Sequence, residues 1–229
     1  MFTEYSLTQF NDHIIIDNGQ SIVFDTGSPM SFHDSGIIDI GGDSIAVPRS
    51  LLGVTSNYLT ENIGCELHGL LGMDIITKHP LMIELKSGFM FFDDDDNYGN
   101  KFHSIHTNQL GGLIGIEIMI NGRFARMFVD SGAKISYINK AFTNGLPIQR
   151  TADDYSPYIG KFQTSLFCCE THLLVNNCKP YIQEYGTPPQ QIEFLLNQYH
   201  MDGIIGIELF KRFRLHLLNG ELYFPPQGI

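Results

Sequence analysis

Apolar residues in this chain come in short runs that stop at glycine, asparagine or proline, a spacing that predicts β-strands joined by tight turns. His13-Ile14-Ile15-Ile16 runs into Asn18-Gly19, and Ile22-Val23-Phe24 follows it. Residues 81–85 and 89–92 flank Ser87-Gly88, and 213–218 and 221–224 flank Asn219-Gly220, so both pairs read as hairpins. Another hairpin is expected at 36–47, with Gly41-Gly42 at its turn. Residues 188–199 read as a helix, because prolines open the segment and Ile192, Leu195, Leu196 and Tyr199 share one face. No long heptad pattern is present, and the class is all-β with one or two small helices.

The pattern occurs twice. Phe24-Asp25-Thr26-Gly27 and Val129-Asp130-Ser131-Gly132 each end an apolar strand in an acidic residue and a glycine turn, 105 positions apart. Downstream of the first lies Gly69-Leu70-Leu71-Gly72, and downstream of the second Gly203-Ile204-Ile205-Gly206, each leading into its closing hairpin. Upstream, Asn18-Gly19 and Asn121-Gly122 punctuate matching strand pairs. The period is too long for a solenoid and suits a duplicated lobe.

In these paired motifs the chain resembles the aspartic protease superfamily, the pepsin-like and retroviral-type enzymes. The resemblance covers the ends of both halves, while residues 31–68 and 139–202 match loosely. It implies a two-lobed pepsin-like acid-protease fold with pseudo-twofold symmetry and short lobes, in which Asp25 and Asp130 form the catalytic pair. By the same resemblance the hydroxyls of Thr26 and Ser131 bond across to the opposite lobe. Gly27 and Gly132 let backbone amides face the carboxylates. The residue after each glycine differs, Ser28 in the first half and Ala133 in the second, so a hydroxyl is expected to reach Asp25 but none Asp130. The hairpin at Gly41 and Gly42 holds the place in chain order of a flap over substrate, although it lacks the tyrosine of pepsin-like flaps. Tyr158, within 155–162, is a second candidate wall of the cleft. A plain surface hairpin and core aromatics are the competing readings of these two segments.

Paired carboxyls suit peptide hydrolysis for a physical reason. One must be ionised to take a proton from water and the other protonated to polarise the carbonyl and later release a proton. Two carboxyls a few ångströms apart cannot both ionise cheaply, so they share one proton and their pKa values split.

Composition narrows the partners. With 25 acidic against 14 basic residues in 229, the formal charge of −11 argues against nucleic acid or an anionic membrane surface. No apolar run is long enough to span a bilayer. The first residues lack a basic start and an apolar signal core, which predicts a cytoplasmic protein, and the four cysteines are then expected as reduced thiols. The acidic run 93–96 lacks the ligand spacing of a calcium loop and reads as part of a linker. The expected division is an N-terminal lobe at 1–92, a linker at 93–112 and a C-terminal lobe at 113–229. No metal or cofactor is expected. The partner is a peptide or protein substrate, and the chain is expected to be a monomer, since it carries both halves of the pair. The leading function is an aspartic endopeptidase for extended apolar peptides. The alternative is a catalytically silent pepsin-fold protein that binds or scaffolds peptides.

Overall fold

The computed structural model describes residues 3–92, 103–104, 107–157, 159–175 and 178–224. The first half runs β1 (Thr3–Phe10), β2 (His13–Asp17), β3 (Ser21–Phe24), β4 (Phe32–His33), β5 (Ile37–Ile40), β6 (Asp43–Ala46), α1 (Ser56–Ile63), β7 (Gly69–Leu71), α2 (Met73–Ile76), β8 (Leu81–Glu84) and β9 (Phe89–Phe92). After β10 (His103–Ser104) and β11 (Thr107–Leu110), the second half runs β12 (Leu113–Ile120), β13 (Arg123–Val129), β14 (Ser136–Ile138), β15 (Arg150–Ser156), β16 (Gly160–Leu173), β17 (Tyr181–Gly186), α3 (Gln190–Gln198), β18 (Gly203–Ile205), α4 (Glu208–Arg212), β19 (Leu215–Leu218) and β20 (Glu221–Phe224). The lone helix expected at 188–199 is α3. Among the described residues, the short helices α1, α2 and α4 and a 3-10 turn at Lys140–Phe142 accompany it, in keeping with a mostly β fold with a few small helices.

Strand periodicity explains the unbroken apolar runs Ile14-Ile15-Ile16 of β2 and Ile22-Val23-Phe24 of β3. Successive side chains point to opposite faces, and both faces are covered. Ile14, Ile16, Ile22 and Phe24 face the main core, which continues into Ile116, Ile118, Val129 and Ile205 of the second half. Ile15 and Val23 face the other way and pack with Phe32, Leu70, Leu59 and Ile63, the last two from α1. Helix α1 thus closes the outer face of the first sheet. Its limits are set locally: the Thr55 side chain accepts the Tyr58 amide, and Gly64 ends the helix at a φ of 91°, where a side chain would be strained. In the second half α3 covers Phe128 in the same way, through Leu196 and with Met201.

Two large sheets result. The first has the order β10-β20-β19-β8-β9-β1-β2-β3-β7-β4, and the second β11-β12-β13-β18-β14-β17-β16-β15, with β12 also paired to β16. The closing hairpins of the two halves meet: β19 lies antiparallel to β8, with His216 opposite Met82. By sequence β19 and β20 fall in the 113–229 segment, yet they are strands of the first sheet. The acidic run of the expected linker lies outside the described residues. All four cysteines, Cys65, Cys168, Cys169 and Cys178, are free thiols. Among the described residues, no helix is long and apolar enough to cross a membrane.

Candidate functional site

Each half builds its acidic turn with the same hydrogen bonds. The Asp25 amide donates to the Leu71 carbonyl at 3.0 Å, and the Asp130 amide to the Ile205 carbonyl at 3.0 Å, so each aspartate extends the parallel pairing of its strand with the apolar-apolar-Gly element. The Gly72 amide donates to Ser31 Oγ at 2.8 Å, and the Gly206 amide to Ser136 Oγ at 2.9 Å. Glycine is required at both places by space. A Cβ on Gly72 would stand 2.6 Å from the Met30 carbonyl oxygen, and one on Gly206 would stand 2.3 Å from that of Ala133.

Four hydrogen bonds then join the turns to each other. The Thr26 amide donates to Ser131 Oγ at 3.0 Å, and the Ser131 amide to Thr26 Oγ1 at 2.9 Å. Each hydroxyl in turn donates across the interface, Thr26 to the Val129 carbonyl at 3.0 Å and Ser131 to the Phe24 carbonyl at 2.9 Å. Both side chains are fully buried. The two hydroxyls therefore use both their donor and their acceptor capacity on the opposite half, which fixes one turn against the other.

The turns bring the candidate carboxyls together. Asp25 and Asp130 are half-buried and electrostatically coupled to each other. Gly27 lies so close to the opposite turn that a Cβ there would stand 2.2 Å from Asp130 Cγ, and one on Gly132 would stand 2.8 Å from Asp25 Oδ1. The glycines are thus needed for space, because the partner's carboxyl occupies the volume a side chain would fill. Gly27→Ala should lower any turnover by about 100-fold or more, the cost of a displaced reacting group, and Gly132→Ala should cost less because its clash is milder. Steady-state kinetics on both variants checks the order.

Local amides hold each carboxylate. The Gly27 amide donates to Asp25 Oδ1 at 2.8 Å, and the Gly132 and Ala133 amides donate to Asp130 Oδ1 at 2.9 and 3.1 Å. Burial nonetheless raises both pKa values above the ordinary carboxylate range. Asp130 is raised further, because the charge of Asp25 adds to the burial.

The Ser28 hydroxyl does not reach Asp25. It donates to the Met30 carbonyl at 2.8 Å, and the backbone amide of Ser28 is the group that bonds Asp25. The expected contrast between Ser28 and Ala133 is therefore absent at the carboxylates, since neither turn brings a hydroxyl to its aspartate. Ser28→Ala should leave the pH dependence of the site within about 0.3 units of wild type, read from a pH titration of activity.

The hairpin of β5 and β6 carries Gly41 and Gly42 away from this site. The Gly41 amide donates to the Tyr5 hydroxyl at 2.9 Å, and the Asn18 side chain donates to the Asp39 carbonyl at 2.9 Å. Asn18 belongs to the turn between β2 and β3, at the opposite end of those strands from Asp25. Ile38 and Ile40 anchor the hairpin in the core. It is a surface hairpin, and its flap-like place in chain order misleads.

Another hairpin reaches the charged groups around His13. β15 and β16 form it. Tyr155 lies 6.3 Å, ring to ring, from Tyr58 of α1 in the other half. Asp154 accepts from the Tyr137 hydroxyl and is electrostatically coupled to His13 and Lys134. Tyr158 lies outside the described residues.

Three groups beside the site escaped the sequence reading. Asp12, in the turn before β2, pairs with Lys211 at 2.8 Å and Lys134 at 3.7 Å, both from the second half. His13 and Asp154 complete the cluster. Counting back along β2 from its Asn18-Gly19 turn would have put His13 level with Asp25. Asp12 and Asp154 carry no local signal of this kind.

No protein-family model matches the chain, and no curated protein matches it. Among solved structures, Basic 7S globulin from soybean is similar over 100% of this chain and 97% of that one, with a TM-score of 0.52 and 8% sequence identity. That likeness is one of fold: the chain has the two-lobed, mostly β pepsin-like architecture.

Proposed function

We propose that this chain is an aspartic endopeptidase in which Asp25 and Asp130 share one proton. The supporting observation is the reciprocal hydrogen-bond set of Thr26 and Ser131, which holds two half-buried carboxyls in contact. A purely structural acidic pair has no need of contact with another carboxyl, since like charges brought together in a poorly solvated place oppose folding. Hydrolysis does need it. The ionised carboxyl takes a proton from a water seated between the two, and the resulting hydroxide attacks the scissile carbonyl. The protonated carboxyl donates to the carbonyl oxygen, and a proton then passes to the departing amine. No cofactor is required by this scheme. The substrate is an extended, largely apolar peptide, and the hairpin of β15 and β16 is the element best placed to cover it.

Raised pKa values at both carboxyls support activity from mild acid towards neutrality, because the singly protonated pair persists to higher pH than a free aspartate would allow. The test is incubation of wild type and Asp25→Asn with a diverse peptide library from roughly pH 3 to pH 8. Cleavage by wild type alone supports the proposal, and no cleavage at any pH overturns it.

Fold alone does not carry an activity. A pepsin-fold protein that binds or scaffolds peptides without cutting them fits the likeness in fold equally well. Peptides bound but left intact by wild type and Asp25→Asn alike would establish that reading.

A further inference from the structure

The two halves differ where each strand pair meets its aspartate. In the first half the β2–β3 ladder pairs Ile14 with Phe24, so the next position sets His13 opposite Asp25. In the second, the β12–β13 ladder ends with Gly115 opposite Phe128, and two positions further its register would set Leu113, not an imidazole, opposite Asp130. Residues directly opposite in an antiparallel pair project from the same face, with Cβ atoms about 5 Å apart. One aspartate therefore has an imidazole as its neighbour, and the other an aliphatic side chain.

The charged groups around His13 come from four elements. Asp12 precedes it in the turn, Asp25 follows β3, Lys134 follows the second acidic turn, and Asp154 comes from β15. Asp12 is already engaged by Lys134 and Lys211, and Asp154 accepts the Tyr137 hydroxyl. Asp25 is the carboxylate that acts most strongly on His13. Among the described residues, the groups that act most on Asp130 are Asp25 and the amides of Gly132 and Ala133, with no imidazole among them.

Building on the proposed carboxyl pair, we infer that His13 is a positioning residue that breaks its symmetry, holding the negative charge on Asp25 and leaving the shared proton on Asp130. Asp25 is then the group that takes the proton from water, and Asp130 the one that donates to the carbonyl oxygen. Burial lowers the pKa of His13 below the ordinary imidazole range, and the charge of Asp25 offsets part of that, so His13 is protonated on the acid side of the profile. Imidazole and carboxylate titrations are thereby linked: protonated His13 favours the ionised pair and carries the acid limb of the pH profile to lower pH.

The decisive measurement is an NMR titration of the His13 imidazole in the full chain, in wild type, Asp25→Asn and Asp130→Asn. Loss of the Asp25 charge should lower the His13 midpoint by roughly one unit. Asp130→Asn leaves Asp25 as the sole carboxyl and should keep the midpoint or raise it. Equal shifts in the two variants, or none in either, overturn the inference. A kinetic arm uses His13→Gln and His13→Leu, which should move the acid limb of kcat/KM upward by about half a unit or more while the alkaline limb moves less. An acid limb that overlays wild type would also overturn it. The NMR result does not depend on turnover. An unequal shift together with no cleavage of any peptide by wild type would leave His13 in its role and remove the hydrolytic proposal.

Discussion

Asp25→Asn and Asp130→Asn should each reduce peptide cleavage by at least about 10³-fold, because acid and base act as one unit and asparagine can neither accept nor release the proton. Both substitutions preserve shape, so the loss should appear in kcat with the fold intact. Stability should move the other way. Burial raises the folded pKa of both carboxyls, so between the unfolded and folded values the native chain binds more protons than the unfolded one. Native stability is then greatest below the unfolded aspartate range and falls as pH rises through the folded values. Asparagine carries no such penalty. At pH near 7 both variants should melt at or above the wild-type temperature. The difference should close below the unfolded aspartate value of about 3.9. The gain should be larger for Asp130→Asn, whose carboxyl is the more strongly raised. A variant retaining more than a few per cent of wild-type turnover (roughly, against the 10³-fold expectation) would end the assignment.

The core of the arrangement was legible in the sequence because it is local and duplicated. Asp25-Thr26-Gly27 and Asp130-Ser131-Gly132, with their downstream glycines, follow from strand and turn chemistry. The crossing bonds of Thr26 and Ser131 complete what those motifs imply. What could not be read depends on contacts between segments far apart in the chain. Ser28 has a carbonyl nearer to hand than Asp25, and a local hydrogen bond to Met30 wins. The Gly41-Gly42 hairpin has the right place in chain order, but its position is decided by Tyr5, Asn18 and the burial of Ile38 and Ile40. The exchange of β19 and β20 into the first sheet is a pairing between the ends of the two halves. Helix α1 did have local signals, Thr55 at its start and Gly64 at its end, and it went unread because its eight residues carry few apolar positions, Leu59 and Ile63 being the buried ones.

The second large effect should come from the bonds that join the turns. Thr26→Val keeps the shape of the side chain and removes its hydroxyl, leaving the Val129 carbonyl and the Ser131 amide without these partners. Ser131→Ala strands the Phe24 carbonyl and the Thr26 amide in the same way. These groups meet at fully buried side chains, where water does not readily replace the lost partner, and each unsatisfied group costs about 1–3 kcal/mol. Two per variant bring the loss to roughly 2–4 kcal/mol after some relaxation. For a chain of this size that corresponds to a fall in melting temperature of roughly 5–15 °C. Thr26→Ser retains the hydroxyl and should stay within about 1 kcal/mol of wild type, separating the hydrogen bonds from the packing of the lost methyl. If the bonds also set the spacing of Asp25 and Asp130, turnover by Thr26→Val should drop at temperatures well below its melting point, while Thr26→Ser stays active. Calorimetry and kinetics on the three variants check this. A Thr26→Val chain that melts within about 2 °C of wild type would show that the two turns are held by packing alone, and that the hydroxyls have no share in fixing the carboxyls.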